Sequence, residues 1–127
     1  MNMKKIFSTL MVMLLAGCGG NTESLSGNEY KTNGDAGVEI TLGFDENGTD
    51  FHGQAVNNYF GSYQAKDGKI KFSLAGSTMM AAPELMMEAE TAYFQFLDQA
   101  ESYRINDNKL MISTPEKTIT FEKSNGE

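Results

Sequence analysis

Apolar and polar residues alternate along most of the chain after residue 37. The residues Val38, Ile40, Leu42 and Phe44 repeat with a period of two, which is typical of a strand that buries one face. The same period recurs in five further short runs, at residues 59–63, 70–74, 103–105, 110–112 and 119–121. The pattern therefore predicts a series of half-buried strands.

Turn-forming residues separate these runs. Asn47-Gly48 and Asp67-Gly68 are dipeptides that favour tight hairpins, because both residues tolerate positive φ. A strand at residues 49–52 is expected to return after the first hairpin. Further turns are predicted at residues 106–108 and 114–117, so that consecutive strands run antiparallel.

The period changes after Ser77. Pro83 suits the first turn of a helix, and Glu84 complements the positive end of the helix dipole. The spacing of apolar residues predicts one amphipathic helix over residues 83–100. Its buried stripe is expected to contain Leu85, Met86, Ala89, Tyr93, Phe96, Leu97 and Ala100. Its outer face is expected to carry Glu88, Glu90, Gln95, Asp98 and Glu101.

Together these elements predict an α+β fold. About seven or eight short strands would form an antiparallel, partly open β-barrel. The single amphipathic helix would bury its apolar stripe against the sheet.

The first 18 residues have the organisation of an export signal. Lys4 and Lys5 precede an apolar run at residues 6–16, which is too short to span a bilayer but fits a signal peptide. The run ends in Leu15-Ala16-Gly17-Cys18, which resembles a bacterial lipobox. The resemblance implies lipid attachment to Cys18, cleavage after Gly17 and acylation of the new amino terminus, for example with palmitate. We expect a signal peptide at residues 1–17, a lipidated flexible tether at 18–27 and a folded domain at 28–125.

Composition and charge narrow the function. The 127 residues include 10 basic and 17 acidic residues, for a net charge of −7. This balance argues against a nucleic-acid partner, which requires a basic surface. Cys18 is the only cysteine, so it cannot form an intramolecular disulfide. The expected location is the cell envelope, and in a Gram-negative host the outer membrane, on its periplasmic or surface side.

Several short motifs occur in a characteristic order. They are Val56-Asn57-Asn58-Tyr59-Phe60-Gly61-Ser62-Tyr63, Asp67-Gly68-Lys69-Ile70, Ser77-Thr78-Met79-Met80-Ala81-Ala82-Pro83 and Asp107-Asn108-Lys109-Leu110. In this order the chain resembles the META domain of HslJ-like proteins. The resemblance implies a cracked barrel crossed by a helix, and it implies no enzymatic activity.

The resemblance also identifies family-motif residues with a structural or binding role, namely Asn57, Gly61, Tyr63 and Thr78. Val56 and Ala82 stand where relatives usually have cysteines, so this chain lacks that cysteine pair. From the residues themselves, Tyr59, Phe60 and Phe72 are candidates for an apolar groove.

The sequence contains few other candidates for catalytic or metal-binding residues. His52 is the only histidine, and Asp50 shares its strand face, but no nucleophile accompanies them and we predict no catalytic residue. No cofactor is expected. Methionine is in excess at Met79, Met80, Met86 and Met87. Thioethers are ligands for Cu(I), although methionine also fills cores and adaptable grooves.

These observations predict a monomeric, membrane-anchored envelope lipoprotein with a non-enzymatic META domain. Its role would be that of a binding or stress-related accessory module. It would reach the membrane through the lipid on Cys18 and bind an envelope protein or an apolar ligand. The alternatives are a methionine-rich lipoprotein that handles Cu(I) and a small lipoprotein inhibitor of an enzyme.

Overall fold

The alternating segments form eight antiparallel strands around one core. The computed structural model describes residues 24–124, so the predictions for Cys18 and residues 1–17 lie outside the described residues. In chain order the elements are β1 Glu29–Asn33, a 3₁₀ turn Asp35–Gly37, β2 Glu39–Phe44, β3 Asp50–Gln54, β4 Asn58–Lys66, β5 Lys69–Ser77, α1 Glu84–Gln99, β6 Ser102–Asn106, β7 Lys109–Ser113 and β8 Thr118–Lys123.

Neighbours in sequence are neighbours in the barrel, and β8 closes it by pairing with β1. The predicted α+β architecture, an antiparallel barrel with one packed helix, is confirmed. The barrel is closed, whereas a partly open one was expected. The β5–β6 seam is nevertheless narrow, since Lys69↔Ser102 is the single residue pair in its ladder.

The helix covers the part of β5 that β6 does not reach. Helix α1 follows β5 after a short loop and runs back along it, so that the Ile70 N–H donates to the Glu101 carbonyl at 3.1 Å. The helix contacts β5 and the 3₁₀ turn. Among residues 24–124, no helix has both the length and the apolar character needed to cross a bilayer.

Alternation determines which side chains enter the core. Val38, Ile40, Leu42 and Phe44 are all buried, as their period predicts. Aromatic rings fill much of the interior, and the Phe44–Tyr63 and Phe51–Phe72 pairs meet edge to face with centroids 4.9 and 5.1 Å apart. Such contacts add about 0.5–1.5 kcal/mol each beyond area burial.

The helix differs from its prediction at three positions. Pro83 lies one residue before α1, at the N-cap. Leu85 is 70% exposed instead of buried, and Glu90 is only 7% exposed instead of lying on the outer face. Ala89, Tyr93, Phe96, Leu97 and Ala100 are buried as the spacing predicts.

The packed part of the chain begins earlier than the sequence predicts. Leu25 is buried, and the Gly27 N–H donates to the Phe44 carbonyl at 2.7 Å. Residues 24–27 therefore belong to the domain, although they were assigned to the tether. β1 was also not predicted, because Tyr30 is the only large apolar residue in a strand of five residues.

The hairpins follow turn chemistry with one exception. Asp67 and Gly68 have φ of 55° and 81°, and Asp107 and Asn108 have φ of 54° and 64°, as two-residue hairpin turns require. In the β2–β3 turn only Gly48 has a positive φ, 79°. The side-chain oxygen of Asn47 there accepts the N–H groups of Thr49 and Asp50, so β3 begins one residue later than expected.

Candidate functional site

Two of the family-motif residues meet at the end of the barrel where helix α1 begins. Asn57 lies in the β3–β4 connection and is 3% exposed. Thr78 follows the end of β5, and its hydroxyl donates to Asn57 Oδ1 at 3.0 Å. The same oxygen accepts the Met80 N–H at 2.6 Å. One buried amide therefore joins the β3–β4 connection to the loop that leads into the helix.

Glu90 completes this buried network from the helix. Its Oε2 accepts the Asn57 N–H at 2.6 Å, and its Oε1 accepts from Asn57 Nδ2 at 3.1 Å. Thr78 also accepts the Asn58 N–H, at 3.1 Å. Four hydrogen bonds thus converge on Asn57 from the loop and the helix. A buried polar group stabilises a fold only when it is paired, and this network pairs both the amide and the carboxylate.

The sequence contained a signal for Glu90 that its acidic character obscured. Tyr93 and Leu97 lie three and seven residues after it, a spacing that places all three on one helix face. An acidic residue inside such a stripe is expected to need a partner. Asn57 is that partner, from 33 residues earlier in the chain.

A second buried polar contact lies next to this network. The Tyr59 hydroxyl donates to the Thr41 carbonyl at 2.5 Å, and the hydroxyls of Tyr59 and Tyr93 are 2.6 Å apart. Because Tyr59 donates to Thr41, Tyr93 donates to Tyr59. Burial raises the pKa of both tyrosines, and for Tyr59 the nearby Tyr93 raises the pKa further.

These raised pKa values predict a loss of stability in alkali. Each tyrosine ionises near its ordinary value of 10.0 in the unfolded chain but stays protonated when folded. The pair therefore contributes its full stabilisation below pH 10. As the pH rises above 10, the free energy of unfolding falls by up to about 1.4 kcal/mol per pH unit for each tyrosine. Urea unfolding of the native chain and of Tyr93→Phe between pH 8 and about 11.5 is the measurement. The variant is expected to lose about half of the slope, and equal slopes would contradict the assignment.

The other predicted site residues lie at different places. Gly61 lies in β4 at a register shift, where Phe60 pairs with Gly76 and Gly61 pairs with Leu74. Tyr63 is buried against Phe44. The predicted groove residues are not brought together on one surface.

Strand alternation explains this separation of the groove residues. Tyr59 and Phe72 point into the core, whereas Phe60 points outward and is 55% exposed. The ring of Phe60 lies over Gly76, since a Cβ built on that glycine would be 3.1 Å from Phe60 Cζ.

The four methionines at residues 79, 80, 86 and 87 lie near the start of the helix. Met79 is 90% exposed, Met80 and Met87 are also exposed, and Met86 packs against the core. In the described part of the chain, no three His, Cys, Asp or Glu side chains are placed to hold a metal ion.

His52 and Asp50 do not pair with each other. His52 Nδ1 is 2.8 Å from Asp45 Oδ1, and the imidazole is half exposed. Asp50 instead accepts from the Asn47 amide at 2.9 Å. The arrangement ties the β2–β3 turn to β3 on the outside of the barrel, away from the buried network.

Comparison with known proteins identifies the family. A protein from Burkholderia xenovorans, solved by NMR, is similar at a TM-score of 0.64 and 25% identity, covering 80% of this chain and 85% of that chain. A DUF4847 family protein from Bacteroides vulgatus has a TM-score of 0.56 at 18% identity, covering 69% of this chain and 61% of that chain. No curated protein matched the sequence. The family described as the META domain matches residues 21–126, and the chain therefore belongs to the META domain family.

Proposed function

We propose that this META domain protein is a lipid-anchored accessory protein of the bacterial envelope that acts by binding a partner. The observation that carries the proposal is the sequence Leu15-Ala16-Gly17-Cys18 at the end of a short apolar run. A thiol is the side chain that forms the thioether to a diacylglyceryl group. Acylation of the new amino terminus would add a further chain, and stable anchoring takes more than one chain.

Only a short stretch of chain separates the proposed anchor, Cys18, from the barrel. Residues 19–24 separate Cys18 from the buried Leu25. The seven Cα–Cα steps from Cys18 to Leu25 span at most about 25 Å when extended. An anchored barrel would therefore stay near the bilayer surface, with the end that carries the β2–β3 turn closest to the lipid.

The buried polar groups have a structural role in this proposal. Asn57, Glu90 and Thr78 are joined to one another and to the backbone. Tyr59 and Tyr93 are likewise joined to each other. The hydrogen bonds of these groups hold the helix to the barrel.

Replacing Cys18 by serine tests the anchor. We expect the native protein to incorporate an alkyne-labelled palmitate and to sediment with membranes, because the acyl chains supply its membrane affinity. Cys18→Ser should lose both the label and the sedimentation. Asn21→Ser, a polar change three residues later, is the matched control and should behave like the native protein. Equal labelling and sedimentation of native protein and Cys18→Ser would overturn the proposal.

A further inference from the structure

Three of the five methionines between residues 24 and 124 present much of their surface to solvent. Met79 is 90% exposed, Met80 is 54% exposed and Met87 is 40% exposed. Met79 and Met80 lie in the loop between β5 and α1, and Met87 lies in the first turn of the helix. Because the sulfur is near the end of a methionine side chain, small solutes reach it at these positions. We call these three residues the exposed methionines.

The other two methionines of this part of the chain are shielded in different ways. Met86 packs against the core. Met111 is partly exposed on β7, but Arg104 Nη2 donates to its sulfur at 3.7 Å. The guanidinium therefore occupies one side of that sulfur and engages its electron pair. The five thioethers thus differ in how readily a solute in water can react with them.

The reaction that access controls is the oxidation of a thioether by hydrogen peroxide. The sulfur attacks one peroxide oxygen with its electron pair, a sulfur–oxygen bond forms and the O–O bond breaks. The second oxygen takes up the hydrogen of the first and leaves as water, so the sulfur loses two electrons and the peroxide gains them. The product is methionine sulfoxide, a polar side chain that methionine sulfoxide reductases return to methionine.

No thiol competes for peroxide within the folded domain. Cys18 is the only cysteine of the chain, so methionine is the only sulfur-containing residue type between residues 24 and 124. Thiolates are the groups that oxidants ordinarily attack in proteins. In their absence, the exposed methionines are the most accessible reductants that the barrel offers.

The fold around the exposed methionines is held by backbone groups and does not depend on apolar side chains at these positions. The Met80 N–H donates to Asn57 Oδ1 at 2.6 Å, and the Met87 N–H donates to the Pro83 carbonyl at 3.1 Å. A sulfoxide on either side chain leaves these hydrogen bonds in place. At Met86, by contrast, it would put a polar group against the apolar core, which is destabilising.

We propose that Met79, Met80 and Met87 are reversible oxidation sites, at which the domain consumes peroxide while it stays folded. This inference goes beyond the proposed binding function and does not depend on the anchor at Cys18. Each exposed methionine consumes one peroxide molecule, and a methionine sulfoxide reductase restores it at the expense of a thiol reductant. The surface around the start of α1 changes from apolar to polar in the oxidised form.

Treatment of the full chain with dilute hydrogen peroxide tests this proposal. The reaction is stopped at intervals, and mass-spectrometric fragment spectra assign each added oxygen to a residue. The exposed methionines are expected to oxidise at least about tenfold faster than Met86, because reaction at a packed side chain requires local opening. Protein oxidised only at the exposed methionines should keep its circular dichroism spectrum and its urea midpoint. A methionine sulfoxide reductase with a thiol reductant should then remove the added oxygens.

Leucine variants locate the peroxide consumption. Leucine has nearly the volume of methionine but no sulfur, so the substitution removes the reaction and keeps the packing. The variant Met79→Leu/Met80→Leu/Met87→Leu is expected to lose the fast phase of peroxide consumption. Met86→Leu is the matched control, and its fast phase should equal that of the native chain. Since the three residues of the first variant are exposed, circular dichroism should show unchanged folding.

Any one of four results would overturn the proposal. They are oxidation of Met86 as fast as that of the exposed methionines, unfolding of the protein that is oxidised only at those three residues, a fast phase that persists in the triple leucine variant, and sulfoxides that the reductase does not reduce. In Cys18→Ser the oxidation rates at Met79, Met80 and Met87 are expected to equal those of the native chain. Failure of the anchor and failure of the oxidation sites are therefore separate results.

Discussion

Replacing Gly61 by alanine is expected to destabilise the barrel by about 3 kcal/mol or more, or to prevent folding. A Cβ at this position would lie 2.1 Å from the Ser73 carbonyl oxygen, 2.9 Å from Phe51 Cε1 and 3.0 Å from the Ala75 nitrogen. Two of these atoms are backbone atoms of the paired strand, which cannot move without breaking the ladder. Urea unfolding followed by far-UV circular dichroism measures the effect.

Gly76→Ala is the matched control for this substitution. It lies on the neighbouring strand, but its Cβ would contact the ring of Phe60 at 3.1 Å. That ring is exposed and can rotate away, so the expected cost is about 1 kcal/mol or less. If the two variants were equally stable, close backbone approach would not be the reason for glycine at position 61.

Asn57→Asp is expected to cost about 3 kcal/mol or more at pH 7, although the two side chains have nearly the same shape. The substitution replaces Nδ2, which lies 3.1 Å from Glu90 Oε1, with an oxygen that cannot donate unless it is protonated. Two carboxyl groups in a buried site at this distance cannot both ionise. The pKa of the introduced carboxyl group in the variant is therefore raised above its unfolded value.

The loss of stability in Asn57→Asp is expected to depend on pH. A raised folded pKa means that the unfolded chain releases its proton first. The variant is then closest to the native protein near pH 4 and loses stability relative to it as pH rises towards 7. Unfolding free energies of both proteins at several pH values provide the measurement.

Asn58→Asp is the control, because Asn58 is exposed and contributes backbone groups to Thr78. A pH-independent loss in Asn57→Asp would show that Glu90 does not act on the introduced carboxyl.

Local chemistry made seven of the eight strands and their order predictable, and only β1 was missed. The period-two runs place Leu42, Ile70 and Ile112 inside the barrel, and Asp67-Gly68 forms the expected turn. Leu74 departs from its run and is exposed, because β4 and β5 shift register between Phe60 and Gly61. Such a shift depends on the partner strand, and the period of one strand does not reveal it.

The candidate site was only partly predictable for the same reason. Asn57 and Thr78 stand in recognisable motifs, but their contact with Glu90 requires knowing which face of the helix meets the β3–β4 connection. Both Leu85 and Glu90 were assigned to the wrong face of the helix. Leu85 was expected to be buried because it is apolar, and Glu90 was expected to be exposed because it is acidic. Glu90 is buried since Asn57 satisfies its carboxylate, whereas Leu85 lies in the first helical turn and is exposed to solvent.

Because β6 pairs with only a short part of β5, helix α1 protects the remaining edge of β5 from pairing with other chains. Beyond Lys69, the side of β5 next to the seam is covered by α1 in place of a strand. An uncovered strand edge is a template for pairing with other chains. Until the helix docks, a newly made or partly unfolded chain would present this edge to its neighbours. The buried contact between Asn57 and Glu90 therefore bears on solubility as well as on stability, because it helps to hold the helix that covers this edge.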